Sequence, residues 1–182
     1  MTHDLDDISV YACWTRLNET PEDIARMSMR FMKEFSTQIK LDRWRPLRDE
    51  WDGTEEDLVT VVKNNAVKTE EGKISRGAGY SITLLNGTDP LNTDFNVRAG
   101  TERLIERIAS PKFSQDFYRS EHASAGELWD ASVHAAVMAF DPAFVTGQER
   151  AVLRMTRRGR WKIPFGYRVW INDWVGKITT HA

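Results

Sequence analysis

The order of hydrophobic periodicities along the chain constrains its fold more than any other feature of the sequence. Apolar and polar residues alternate over 8–15, which is typical of a strand, while apolar residues recur every three or four positions over 21–40 and 124–140, which predicts amphipathic helices. Alternation returns in three later segments, at 80–84, 95–99 and 167–171. Because strands and helices mix without a strict strand–helix–strand repeat, we predict an α+β fold with a mostly antiparallel sheet and helices packed on one face.

Signals at segment ends place the helix boundaries. Residues 20–23 (Thr-Pro-Glu-Asp) supply an N-cap hydroxyl, a proline at the first helical position and acids in the first turn. Residues 54–57 (Thr-Glu-Glu-Asp) predict the start of a second helix in a similar way. Ser124 and Glu127 form a capping box, and Asp141-Pro142 predicts where that helix ends, since the residue before a proline avoids the helical region.

The remaining segments carry weaker patterns. Residues 66–78 are polar and contain glycine, which predicts a loop or an irregular hairpin. Over 101–123 the apolar residues fit a helix or a strand, and Pro111 interrupts the segment. Three short elements are predicted as a strand, a helix and a further strand, at 143–146, 148–157 and 174–180.

Composition narrows the class of protein. A length of 182 residues predicts one domain spanning 1–182. The single cysteine, Cys13, rules out an intramolecular disulfide and a cysteine zinc site, and favours a reducing cytoplasm. The first residues are acidic where a signal peptide is basic, the apolar runs are too short to span a membrane, and the formal net charge of −2 disfavours general binding to polyanions. We therefore expect a cytoplasmic protein with no membrane or direct nucleic-acid partner.

Candidate chemistry is sparse, and each candidate has a structural alternative. Asp130 and His134 are one helical turn apart, so they either orient an imidazole for base catalysis or form an ordinary surface pair. Cys13 lies in a predicted strand without a recognisable base, which favours a structural thiol over a nucleophile. Residues 77–79 (Gly-Ala-Gly) precede a strand, which predicts a turn rather than a dinucleotide loop. The acids within 4–7 favour a solvated leader over a cation site, and we expect neither a cofactor nor a metal.

Two runs of opposite charge lie behind the small net charge. The acidic run, 49–57, surrounds Trp51 with six carboxylates: Asp49, Glu50, Asp52, Glu55, Glu56 and Asp57. The basic run, 154–162, surrounds Trp161 with five cations: Arg154, Arg157, Arg158, Arg160 and Lys162. The acidic run suits a basic partner such as the active-site face of a nuclease, and the basic run suits nucleic acid. Alternatively, both are solvated loops, or they pair with each other across the fold.

The seven tryptophans divide by their surroundings in the sequence. Trp14 and Trp129 lie on apolar stripes, which predicts that they are in the core. The other five lie in charged segments or on the opposite side of a strand, and we expect them to face a partner: Trp44, Trp51, Trp161, Trp170 and Trp174.

Four stretches of the chain follow, in order, the motif pattern of a known family. The strand pair near the middle of the chain reads GYSITLLNG at 79–87 and NVRAG at 96–100. This pair resembles the GFSLSLWNG and SVRCG strands of immunity-protein family 52, which is found in bacterial polymorphic toxin and type VI secretion systems. The opening YACWTR at 11–16, the helix that ends in Asp-Pro over 128–142, and IPFGYRV at 163–169 resemble further pieces of that family.

The resemblance, which extends over about residues 9–175, implies a non-enzymatic cytoplasmic inhibitor that is made beside a toxin. Family-52 proteins are associated with toxins of restriction-endonuclease fold, so the implied partner is a DNA-cutting domain that is neutralised by direct contact. The family carries no catalytic residues to transfer. We expect the contact in the acidic run, whose carboxylates would imitate the DNA backbone. Inhibition would either cover the active site or act at a distance, by blocking assembly of the toxin or locking one of its conformations.

Two other functions fit the residues. A small cofactor-free enzyme would use Asp130 and His134, which predicts a concave pocket around them and loss of activity in His134→Ala. A nucleic-acid-binding protein would use the basic run, which predicts binding to DNA at physiological salt.

Overall fold

The computed structural model describes residues 8–40, 43–86, 93–102, 108–113, 124–149 and 168–175. Within these ranges the chain forms seven strands and three helices. In chain order they are β1 (Ile8–Cys13), α1 (Pro21–Ile39), β2 (Trp44–Pro46), α2 (Glu55–Asn64), β3 (Tyr80–Asn86), β4 (Thr93–Ala99), β5 (Ile108–Phe113), α3 (Ala125–Phe140), β6 (Phe144–Glu149) and β7 (Arg168–Ile171).

The seven strands form one sheet in the order β2-β3-β4-β5-β1-β6-β7, and every pairing between them is antiparallel. The predicted α+β fold with an antiparallel sheet is confirmed. β1, the first of the described strands, is a central strand, with β5 on one side and β6 on the other. The register pairs Ile82 with Val97 and Ala12 with Val145. All four side chains are buried on one face, because directly paired residues point to the same side of a sheet.

The three helices cover that face of the sheet. α1 packs along α3 and against α2, so it is the middle helix of the layer. Phe31 of α1 stacks on Phe95 of β4 with ring centroids 4.1 Å apart, and Phe140 of α3 stacks on Trp14 at 4.8 Å. Leu58 of α2 is fully buried in the same core. The predicted packing of helices on one face is therefore confirmed, and an aromatic cluster joins the helices to the middle of the sheet.

The predicted helix caps are confirmed. Thr20 and Ser124 each form a capping box with the residue three positions later, and Thr54 caps α2 through its hydroxyl. α3 ends where Asp141 adopts a left-handed conformation directly before Pro142. Capping residues in the sequence thus mark the positions at which these helices begin and end.

β5 occupies part of the segment whose pattern fitted a helix or a strand. Pro111 lies inside this strand, opposite Phe95 of β4. Proline has no N–H to give to a ladder, and the pairing of β5 with β1 is interrupted beside it, at Val10 and Tyr11. A proline inside a central strand is uncommon, which is why periodicity did not identify β5.

Three other segments differ from their predictions. β2 has three residues, too few for an alternating pattern to reveal it. β6 continues to Glu149, so the helix predicted to begin at 148 is wrong at its start, and 150–157 lies outside the described residues. Trp174 and Val175 lie in a turn rather than in the predicted strand, whose remaining residues also lie outside the described ranges.

Residues 66–79 form the irregular hairpin and the turn that the sequence predicts. Isolated bridges join Ala66 to Tyr80 and Lys68 to Ile74, and the N–H groups of residues 78 and 79 both donate to the Ser75 carbonyl. Gly79 has a φ of +61°, and a Cβ at this position would lie 2.2 Å from the backbone oxygen of Ala99. Only glycine fits where the hairpin enters β3 beside β4.

Candidate partner-binding surface

The acidic run leads from the loop after β2 into the first turn of α2. Four of its predicted contact residues are exposed, namely Glu50, Asp52, Glu55 and Glu56. The other three are half-buried, namely Asp49, Trp51 and Asp57. All seven residues lie on one surface segment. Some of their side chains fix the shape of this segment, and the others face solvent.

Trp51 anchors this segment to the protein. Its indole N–H donates to the Thr54 backbone carbonyl at 2.7 Å, and its ring packs against the hydrophobic core. Both the polar and the apolar part of the side chain are therefore engaged within the chain. Trp51 therefore holds the acidic run against the core.

Asp52, Thr54 and Asp57 form a connected set of hydrogen bonds at the start of α2. Asp52 Oδ1 accepts from the Thr54 N–H at 2.8 Å and from the Thr54 hydroxyl at 2.6 Å. Asp57 Oδ2 accepts from the Asp52 N–H at 3.0 Å, and Gly53 makes the intervening turn with a φ of +92°. The hydrogen bonds from the Thr54 hydroxyl and N–H hold the pKa of Asp52 below its usual value. Asp52 therefore stays ionised at neutral pH and shapes the loop.

Glu50, Glu55 and Glu56 are the carboxylates that this loop leaves open. Among the described residues, none of the three forms an ion pair or a side-chain hydrogen bond. Glu55 and Glu56 lie in the first turn of α2, where the partial positive charge of the helix end favours an anion. The structure thus presents a small negative surface on a fixed support.

Asp49 lies at a cavity beside the acidic run. Asn65 Nδ2 donates to Asp49 Oδ2 at 2.6 Å, and Asn64 Nδ2 is 3.4 Å from Oδ1. The cavity has a volume of about 330 Å³ and opens where the chain leaves β2 and passes the C-terminal end of α2. Sequence reasoning missed it, because the loop after β2, the end of α2 and the edge of β3 meet only through the tertiary fold.

His134 on α3 faces a carboxylate from a different helix. Its Nε2 is 3.6 Å from Oε2 of Glu34 on α1, which is an ion pair when the imidazole is protonated. Asp130, one turn earlier on α3, is exposed. Neither member of the predicted acid/base pair lines the cavity beside the acidic run. The structure therefore adds Glu34 to the neighbours of His134 and places this group apart from the acidic surface.

The remaining candidates lie elsewhere. Cys13 is half-buried at the end of β1, between Ile108 of β5 and Phe144 of β6. In the described part of the chain, no three His, Cys, Asp or Glu side chains are grouped so that they could hold a metal ion.

The acids within 4–7 and the basic run lie outside the described residues. No described helix is long and apolar enough to cross a membrane.

The structure corrects the division of the tryptophans. Two are buried as predicted, namely Trp14 and Trp129. Three that were expected to face a partner are half-buried and pack partly against the core, namely Trp44, Trp51 and Trp170. Trp44 also donates to the Ser36 hydroxyl at 2.9 Å, and Trp170 lies opposite buried Val145 on the helix-covered face. Trp174 is 58% exposed, and Trp161 lies outside the described residues. For Trp44 and Trp51, charged neighbours along the chain do not decide the burial of the ring, because adjacent side chains point in different directions. For Trp170, the pairing with Val145 shows that the other face of β7 is the one that the helices cover.

Comparison with known proteins assigns no family to this chain. No protein-family model matches it, and no curated protein matches it. The resemblance to immunity-protein family 52 therefore rests on the sequence motifs alone.

Proposed function

We propose that this protein is a cytoplasmic immunity protein, which binds a cognate nuclease toxin and neutralises it by protein–protein contact. The motifs GYSITLLNG and NVRAG support the proposal, because they fall on β3 and β4, neighbouring strands whose register pairs Tyr80 with Ala99. These two motifs are therefore adjacent in space.

The observation that carries the proposal is the open acidic surface on a fixed loop. Glu50, Glu55 and Glu56 are exposed, while Trp51 and the hydrogen bonds around Thr54 hold their backbone. A surface that is ordered before binding loses less conformational entropy when it meets a partner. Its negative charge is complementary to the basic cleft with which a nuclease binds the DNA backbone, and it would speed the encounter. We expect inhibition by occlusion of that cleft.

The first experiment tests the function itself. The toxin encoded beside this chain is expressed in bacteria with and without the protein, and survival is counted. We expect the protein to rescue growth and to co-purify with the toxin domain. Cells that die at the same rate with and without the protein would contradict the immunity function.

The second experiment tests the surface. The triple variant Glu50→Gln, Glu55→Gln, Glu56→Gln is compared with a control that removes the same charge elsewhere, Glu70→Gln, Glu71→Gln, Glu102→Gln; all six positions are exposed. We expect the first variant to slow association with the toxin by about tenfold and to weaken its salt dependence, and the control to change the rate less than about twofold. Equal effects of the two variants would contradict the role of the acidic surface in binding, but they would not contradict the immunity function.

A further inference from the structure

The cavity beside the acidic run has a mainly polar lining that includes a single carboxylate. Asn64, Asn65 and Thr83 are among its polar residues, Leu47 and Val67 are among its apolar residues, and Asp49 is the only acidic residue of its lining. Its volume of about 330 Å³ is at the small end of the range for ligand sites. A space of this size suits one long side chain or a small molecule rather than a segment of folded structure.

The Asp49 carboxylate is held in place without being neutralised. Asn65 donates to it at 2.6 Å, while the contact with Asn64, at 3.4 Å, is longer than an ordinary hydrogen bond. An ionised carboxylate has about four acceptor positions, so two amide contacts leave capacity for a further donor. No ion pair within the described residues includes Asp49, and Arg48, the one cationic residue of the lining, is exposed.

We propose that this cavity is a socket for a basic side chain, an arginine or a lysine, of the partner toxin. The inference rests on the proposed function and names the chemistry by which the partner is recognised. A long basic side chain carries a cationic head with several N–H donors, which Asp49 and the polar lining around it would accept. Glu50 follows Asp49 in the chain and is exposed, so it adds to the attraction at the entrance.

Charge complementarity also favours a nuclease as the partner that supplies the basic side chain. A cleft that binds the DNA backbone presents lysine and arginine to phosphate, and these side chains lose their anionic partner when DNA is excluded. The exposed carboxylates of α2 steer such a cleft, and the socket takes one of its basic side chains. Arginine is also among the residues that dominate the binding energy at interface centres.

The first test uses the protein alone. Nuclear magnetic resonance spectra of the labelled protein are recorded with N-acetylarginine methylamide, and with the citrulline analogue, which has the same shape and no charge. We expect the arginine compound to shift the side-chain amide signals of Asn64 and Asn65 and the backbone signals of Ser81 in a saturable way. Equal shifts with the citrulline compound, or none with either, would overturn the socket.

Three variants sharpen this test. Asp49→Asn keeps the shape of the side chain and should weaken binding of the arginine compound by about tenfold. Glu70→Gln removes an exposed charge outside both the cavity and the acidic run and should change it less than about twofold. Arg48→Gln removes the cation of the lining, so it should bind the compound at least as tightly as the native protein. A loss of binding in Arg48→Gln, or none in Asp49→Asn, would contradict the assignment.

The second test uses the toxin and separates the two proposals. Asp49→Asn should raise the dissociation constant of the toxin complex by about tenfold, mainly through faster dissociation. If the toxin binds and Asp49→Asn has no effect, the socket is wrong as a toxin contact and the immunity function stands. If the arginine compound binds at Asp49 and the toxin does not bind at all, the proposed function fails and the site for basic side chains stands.

Discussion

The indole N–H of Trp14 donates a buried hydrogen bond to Oε1 of Glu19 at 2.9 Å. The second oxygen of Glu19 accepts from the Gly100 N–H at 2.8 Å. One carboxylate, only 4% exposed, therefore joins the loop after β1 to the end of β4. A buried carboxylate is unfavourable unless hydrogen bonds replace its water, and here two directed donors do so.

Removing this carboxylate should destabilise the protein. Glu19→Ala leaves the N–H groups of Trp14 and Gly100 without their acceptor, so we expect the free energy of unfolding to fall by about 3 kcal/mol. Glu102→Ala, which removes an exposed glutamate paired with Arg76, should change it by less than about 0.5 kcal/mol. Urea denaturation measures both values. A Glu19→Ala protein as stable as the Glu102→Ala protein would show that the buried bonds contribute little.

The hairpin before β3 offers a matched pair of glycines. Gly79→Ala places a Cβ against the Ala99 carbonyl at a positive φ, and we expect it to lower the free energy of unfolding by at least about 2 kcal/mol. Gly77→Ala meets open space and should change stability by less than about 1 kcal/mol. Thermal unfolding of the two variants decides the comparison. Similar melting temperatures would mean that β3 and β4 can separate at this point without cost.

The cap of α2 should affect stability and binding together. Thr54→Ala removes the hydroxyl that bonds to Asp52 and to the Asp57 N–H, and should cost about 1 kcal/mol. Because the loop is then less ordered, association with the proposed toxin partner should also slow, although no carboxylate is lost. Thr60→Ala, at an exposed position within α2, is the control for both measurements. An unchanged association rate in Thr54→Ala would show that the open carboxylates act without the fixed loop.

Low pH should reduce the free energy of unfolding, because carboxylates in two helix caps become protonated. The Thr20 backbone N–H holds the pKa of Asp23 below its usual 3.8, and the Ser124 backbone N–H holds the pKa of Glu127 below its usual 4.5. Because each pKa is lower in the folded state than in the unfolded state, the stabilisation is complete above these usual values and is lost as pH falls through the folded ones. Asp23→Asn and Glu127→Gln should each flatten the acid dependence of the unfolding free energy. An identical acid dependence in native and variant proteins would contradict this cause.

Local signals account for what the sequence predicted, and long-range contacts account for what it did not. Capping at Thr20, Thr54 and Ser124 depends on neighbours within three residues, so the helix starts could be placed in advance. β5 could not be predicted, because Pro111 interrupts its sequence pattern and its strand conformation depends on pairing with β1 and β4. For the same reason the acidic run was visible in the sequence, whereas the anchoring of Trp51 and the cavity at Asp49 depend on the tertiary fold.

Because β1 lies inside the sheet, it can pair only after later segments of the chain have been made. Its partners are β5 and β6, and Ile8 lies opposite Phe113 on one side and Glu149 on the other. During synthesis the first strand therefore leaves the ribosome long before either neighbour exists, and such distant contacts slow folding. A nascent chain that ends before β6 leaves one edge of β1 unpaired among the described strands. Helices can form early, but the described sheet is completed only after β7 has been made.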